Sequence, residues 1–170
     1  MTTSLLLATL CTVFSDPSFY MSNTRQKQVC DIMPEVLNEA TKNNLDPFLL
    51  MGLITVESNW KTTAVSHAGA CGLTQVMPKY TGGSATSRVK YTCKQLQVPR
   101  TGVRVGAKVL AWWIYRYGKG DVQTGLCGYF SGFRCRPPTK AGKNYSMKVL
   151  KYRDKIKRLY EAKASGGNGG

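Results

Sequence analysis

The stretch Asp46–Glu57, DPFLLMGLITVE, decides the fold. Asp46 followed by Pro47 reads as a helix start. The aspartate can accept from the free N–H groups of the first turn, and proline's missing N–H is not needed there. From Phe48 to Val56 the segment is apolar on nearly every face. A surface helix keeps a polar side, so a helix without one must be enclosed by other elements. The stretch therefore reads as a buried central helix, and Glu57 ends it.

Outward from this helix the periodicity stays helical. Val29, Ile32, Met33, Val36, Leu37 and Ala40 form one apolar stripe between Thr24 and Lys42, with Pro34 marking a kink or a second start. Residues 58–70 read as a loop and Gly72–Lys79 as a short helix closed near Pro78 and the Gly82–Gly83 turn; residues 84–98 carry little pattern. Pro99–Tyr117 is helical again, Asp121 is placed to cap a helix through Tyr129, and Asn144 or Tyr145 opens a last helix ending near Ala162. Neither strand alternation nor an internal repeat is present. The reading is all-α: one domain over 24–162, preceded by an apolar segment 1–23 and followed by a flexible Gly/Ser tail 163–170.

A chain of 170 residues suffices for one domain with a proper core. Lys and Arg number 24 against 9 Asp and Glu, a net charge of +15 that concentrates polyanions at the surface. Nucleic acid, anionic membrane and the acidic polymers of a bacterial wall all qualify. The densest basic run, Lys148–Arg158, reads as the solvated face of an amphipathic helix, and no nucleic-acid-binding motif frames it. Nucleic acid is thus not expected as the primary partner.

Residues 4–14, SLLLATLCTVF, have the length of a signal-peptide core and are too short to span a bilayer. No Lys or Arg precedes them, so a retained arm packing on a partner is preferred to a cleaved signal. Cys11 lies in this segment, leaving Cys30, Cys71, Cys93, Cys127 and Cys135, an odd number that cannot all pair internally. Cys127 and Cys135 are the most plausible local disulfide. Zinc is not expected, because there is no Cys-x-x-Cys and His67 is the only histidine. No cofactor is implied.

Chemistry centres on Glu57–Pro78, ESNWKTTAVSHAGACGLTQVMP. A carboxylate at the end of an apolar helix is costly to ionise, so its pKa should rise until it holds a proton near neutrality. The plainer alternative is a glutamate that reaches water past the helix end. Glu57-Ser58, Ala64-Val65-Ser66, Gly69-Ala70, Gly72-Leu73-Thr74-Gln75 and Met77-Pro78 closely resemble the soluble-type lytic transglycosylases, relatives of goose-type lysozyme. Gly128-Tyr129-Phe130-Ser131-Gly132 and Tyr145 follow the family order more loosely, so the resemblance covers about 24 to 162.

That resemblance implies a lysozyme-like helical domain acting on peptidoglycan glycan strands. Glu57 would be the acid/base. Ser58 and Gln75 would position the sugar's acetamido group, Met77 would join the substrate-binding set, and Tyr129 and Tyr145 would shape the catalytic subsite. Thr74 replaces the family's methionine and alters packing or the cleft wall. Phe130 stands where the family has asparagine. Two-carboxylate glycosidases need a second acid about 5–9.5 Å away. No Asp or Glu lies between Ser58 and Gly120; Asp121 reads as a cap, and Asp46 sits at the far end of the Glu57 helix. A lone acid suits a substrate-assisted route to a 1,6-anhydro product, which the family implies, while hydrolysis stays open.

Among the aromatics, Trp113 reads as core, Trp112, Tyr115 and Tyr117 divide between core and sugar stacking, and Trp60 is open between core and cleft floor. His67 reads as a loop residue. The expected site of action is the bacterial periplasm or cell wall, reached in a phage virion or, alternatively, by bacterial export. The N-terminal segment could engage other virion or secretion-complex proteins. The competing reading is a virion or secretion component that keeps the fold only for binding.

Overall fold

The computed structural model describes residues 3–166, and within them the structure is helical. In chain order, α1 is Thr3–Val13, α2 Asn23–Lys42, α3 Pro47–Ser58, α4 Cys93–Gln97, α5 Pro99–Ala111, α6 Val122–Ser131 and α7 Lys140–Gly166. Short 3-10 turns occupy Pro17–Phe19, Pro78–Tyr80 and Ser84–Thr86, and α5 runs on into a π-helical segment, Trp112–Tyr117. Residues 167–170, half of the expected Gly/Ser tail, lie outside the described residues, and α7 runs on through the other half to Gly166.

Helix α3 is the centre, as its composition requires. Asp46 accepts the Phe48 N–H at 2.9 Å, and Pro47 opens the first turn. Leu49, Leu50, Met51, Leu53 and Ile54 are buried in the main core with Val29, Met33 and Val36 of α2, Val103 and Leu110 of α5, Leu126 of α6 and Val149 and Ile156 of α7. Helix α3 packs most extensively on α7, and the two backbones come close. A Cβ on Gly52 would stand 2.8 Å from the Val149 carbonyl oxygen and 2.9 Å from the Arg153 nitrogen, so glycine is what lets the two backbones touch.

Several expectations are corrected. The N-terminal segment, expected to lie outside the domain, packs on the chain itself: Leu10, Val13 and Phe14 are buried in the same core, and Cys11 is bonded to Cys30 of α2. With Cys11 inside the fold the cysteines become even in number. The other pairs are Cys71–Cys93 and Cys127–Cys135, the second of which was anticipated. Pro34 neither breaks nor restarts α2, because it lies on the exposed side, where a lost backbone bond faces water.

Gly72–Lys79 is not a helix but a knot of turns with isolated antiparallel bridges, Val65 to Cys71 and Cys71 to Val76. Gly72 at φ 74° and Gln75 at φ 50° take the left-handed conformation, which a right-handed helix cannot contain. Residues 84–98 do hold a helix, α4, fixed by a reciprocal capping box between Thr92 and Gln95. Helix α7 starts several residues before Asn144, because Thr139 caps it, its hydroxyl accepting the Gly142 N–H at 3.1 Å.

Candidate active site

Glu57 sits in the last turn of α3, where the enclosing core gives way to the loop that follows. Asn59 and Trp60 take left-handed conformations (φ 46° and 64°), which stop the helix and turn the chain sharply. Trp60 thereby swings inward. It is fully buried, donates from Nε1 to the Thr55 hydroxyl at 3.0 Å and packs edge-on against Phe14, so it is core and not a cleft floor.

The loop returns under the end of α3 and is stitched to it. Ser58 Oγ donates to the Leu73 carbonyl at 2.8 Å, and Gln75 Nε2 donates to the carbonyls of Gly72 (2.9 Å) and Ala64 (3.3 Å). Gly72 is obligatory here, since a Cβ would lie 2.1 Å from the Leu96 carbonyl oxygen. Thr74 points away from Glu57. It is buried, donates to the Gly102 carbonyl at 2.9 Å and fills the space left by Gly106, so this departure from the family motif is a packing change toward α5. Met77 is half-buried just before the Pro78–Tyr80 turn.

Two tyrosines complete the site from the C-terminal helices. Tyr145, in the second turn of α7, donates its hydroxyl to Glu57 Oε1. Tyr129 of α6 donates to the Thr74 carbonyl at 2.7 Å, clamping the loop. Burial is the main cause that raises the Glu57 pKa from 4.5 to about 7; the Tyr145 hydrogen bond and the Lys148 charge pull it partly back. Burial, and then the Glu57 charge, push both tyrosines well above their ordinary value, so both hydroxyls keep their protons.

The site residues expected on sequence grounds do converge around one loop, but in two layers. Glu57 and Tyr145 touch each other, whereas Ser58, Gln75 and Tyr129 bond to loop carbonyls. Sequence reasoning missed two neighbours. Lys148, one helical turn after Tyr145, reads in the sequence only as part of a basic face; its i+3 spacing from Tyr145 is the available signal. Phe130 reads in the sequence only as a lost asparagine, yet its ring stacks on Tyr145.

No second carboxylate is among the groups that act on Glu57. Asp121 caps α6 by accepting the Thr124 N–H at 2.8 Å. Asp46 begins the helix that Glu57 ends, about 16 Å away at 1.5 Å per residue. Among the described residues no group of three His, Cys, Asp or Glu is placed to hold a metal ion. The surface also has a concavity of about 330 Å³ lined by Asn43, Lys108, Trp112, Tyr115 and Arg116, and Glu57 is not part of its wall.

The profile of the family described as "Transglycosylase SLT domain" matches residues 35–149, from α2 to Val149 of α7. The chain belongs to this SLT family. Its match includes the Glu57 turn, the Ser58–Pro78 loop, Tyr129 and Tyr145. A protein named "Transglycosylase" from Enterobacteria phage PRD1 is 34% identical over 113 residues, covering 64% of this chain and 37% of that protein. The chain thus matches little more than a third of that relative's length. The fold is similar to that of an inactive mutant of the lytic transglycosylase Slt from Pseudomonas aeruginosa, with a TM-score of 0.67 at 21% identity over 76% of this chain and 24% of that one. The 70 kDa soluble lytic transglycosylase SLT70 from Escherichia coli gives a TM-score of 0.65 at 19% identity, over 74% of this chain and 24% of that one. The all-α, lysozyme-like SLT fold expected from the sequence is therefore the fold of the chain, and no described helix is long and apolar enough to cross a membrane.

Proposed function

We propose that the chain is a peptidoglycan lytic transglycosylase that cleaves the β-1,4 bond between N-acetylmuramic acid and N-acetylglucosamine and leaves a 1,6-anhydro end. One observation carries the proposal: a single desolvated carboxyl, Glu57, with pKa about 7 and a tyrosine hydroxyl fixing one of its oxygens. A group near neutrality can both give and take a proton at working pH. In its neutral form Glu57 protonates the glycosidic oxygen as the C1–O bond breaks. The substrate's own N-acetyl oxygen stabilises the developing charge at C1. Glu57, now a carboxylate, takes the proton from the C6 hydroxyl, whose oxygen closes the new bond to C1. Proton and bond counts return to their starting values, with no second protein acid required.

Tyr145 holds the carboxyl in register through both steps. Ser58, Gln75, Met77 and Tyr129 form the supporting and substrate-facing set. Both side-chain N–H groups of Gln75 already serve the loop, so its carbonyl oxygen is the atom left to accept from an acetamido N–H. Likewise the Ser58 hydroxyl, having donated to Leu73, can still accept.

The three disulfides fit an oxidising site of action such as the periplasm, and the phage relative supports a virion enzyme that opens the wall locally. Mass spectrometry of digested peptidoglycan tests the chemistry. Anhydro-muramyl ends are expected, and they should vanish in Glu57→Gln. Reducing ends instead would make the chain a hydrolysing muramidase. Absence of any cleavage would leave a binding protein built on an enzyme fold.

A further inference from the structure

Phe130 ends the row Glu57–Tyr145–Phe130. Its ring lies nearly parallel to that of Tyr145, with centroids 4.7 Å apart and planes inclined by 16°. It nevertheless remains 52% exposed. Tyr145 covers one face, so the exposure belongs to the opposite face and rim. A phenyl ring left this way holds a flat apolar surface in water, which a ligand that covers it would remove from water. The surface is also held in place. Phe130 follows Tyr129, whose hydroxyl is tied to Thr74, and stands three residues after Cys127, which is bonded to Cys135. Gly128 packs α6 directly on the Trp113 ring, since a Cβ there would meet it at 2.4 Å. A platform that cannot swing away loses little entropy on binding.

We propose that Phe130 is a sugar-stacking residue of the substrate site. Its open face takes the apolar C–H face of the saccharide unit next to the one that reacts. The assignment rests on the glycan-cleaving reading above and deepens it. A saccharide fits better than a protein partner because the ring is in direct contact with the tyrosine that bonds the acid. Whatever lies on the open face is one stacking layer farther from Glu57 than Phe130 is, the place of a neighbouring sugar. A ring offers stacking where an asparagine would offer hydrogen bonds, so sugar binding at this position should tolerate changes in hydroxyl pattern.

The test combines a binding and a kinetic measurement on the intact chain. Sedimentation with purified peptidoglycan is measured in the Glu57→Gln background, alone and combined with Phe130→Ala or Phe130→Trp. Aromatic stacking energies set the expected loss for Phe130→Ala at about five- to ten-fold in affinity, with Phe130→Trp retaining it. With Glu57 intact, Phe130→Ala should raise KM by a similar factor and leave the basic limb of the pH profile in place. Unchanged sedimentation and KM would overturn the assignment while leaving the proposed reaction standing. A fall in kcat at constant KM, with the pH limb displaced, would make Phe130 only a support for Tyr145 and also overturn it. Failure of the Glu57→Gln protein to bind wall, together with no cleavage by the unsubstituted chain, would remove both the platform and the reaction. A melting temperature equal to that of the same background with Phe130 intact shows for each variant that the fold is intact.

Discussion

Near pH 7 the Glu57 carboxyl divides between its two forms, because burial lifts it from 4.5 to about 7 while Tyr145 and Lys148 pull the other way. A proton donor is lost as pH rises through that value, so the basic limb of kcat/KM should fall near pH 7. Tyr145 stabilises the carboxylate; Tyr145→Phe should raise the Glu57 pKa and move that limb to higher pH, readable in a pH–rate series. The same group has a stability cost. The native state holds this proton more tightly than the unfolded chain, so stability is highest below about pH 4.5, declines as pH rises to about 7 and is flat beyond. Glu57→Gln removes an ionisation worth about 3 kcal/mol. At pH 8 it should melt roughly 5–10 °C above the parent, with little difference at pH 4. The same substitution should cut cleavage by about 10³-fold. A variant that melts higher and cleaves less is the signature of a residue held for chemistry rather than for stability.

Helices α3 and α7 each bring one half of the hydrogen-bonded pair, Glu57 and Tyr145, and their separation is set at Gly52. Gly52→Ala puts a methyl against the backbone at Val149 and Arg153, where no side chain can move aside. The helices must part by a few tenths of an ångström or more. Overpacking of this kind costs about 1–3 kcal/mol. Because Tyr145 lies one turn before Val149, the displacement should also lengthen the Glu57–Tyr145 contact. The expected result is a lower melting temperature together with an upward shift of the basic pH limb, the same direction as in Tyr145→Phe. A matched core truncation away from this crossing, Val29→Ala on α2, should lower the melting temperature and leave the limb unmoved.

Across the whole molecule, three disulfides cross-link neighbouring elements: α1 to α2, the site loop to α4, and α6 to the segment before α7. The Cys71–Cys93 bond spans 22 residues and anchors the loop that carries Thr74 and Gln75. Replacing both cysteines with serine should cost about 2–4 kcal/mol. Since this loop supports the Glu57 turn, activity should fall more than it does for the paired Cys11→Ser, Cys30→Ser variant. Melting curves and wall-lysis rates of the two double variants, compared under oxidising conditions, check this.

Local pattern alone determined the buried helix from Pro47, its aspartate cap, the stripe on α2 and the Asp121 cap, because these depend on periodicity and on residues within one helical turn; the proposal of Glu57 as the acid also drew on the family resemblance of the loop that follows it. Tertiary structure decided the rest. Whether Cys11 joins the fold, whether Trp60 faces core or cleft, why Thr74 replaces a longer side chain and what Phe130 touches all depend on residues far apart in the chain. The Ser58–Pro78 stretch shows the division most sharply. Its residue types announced a site, but a turn built on left-handed residues, a close approach to Leu96 and long-range bonds to Gly102 and Tyr129 has no repeating pattern from which its shape could be read.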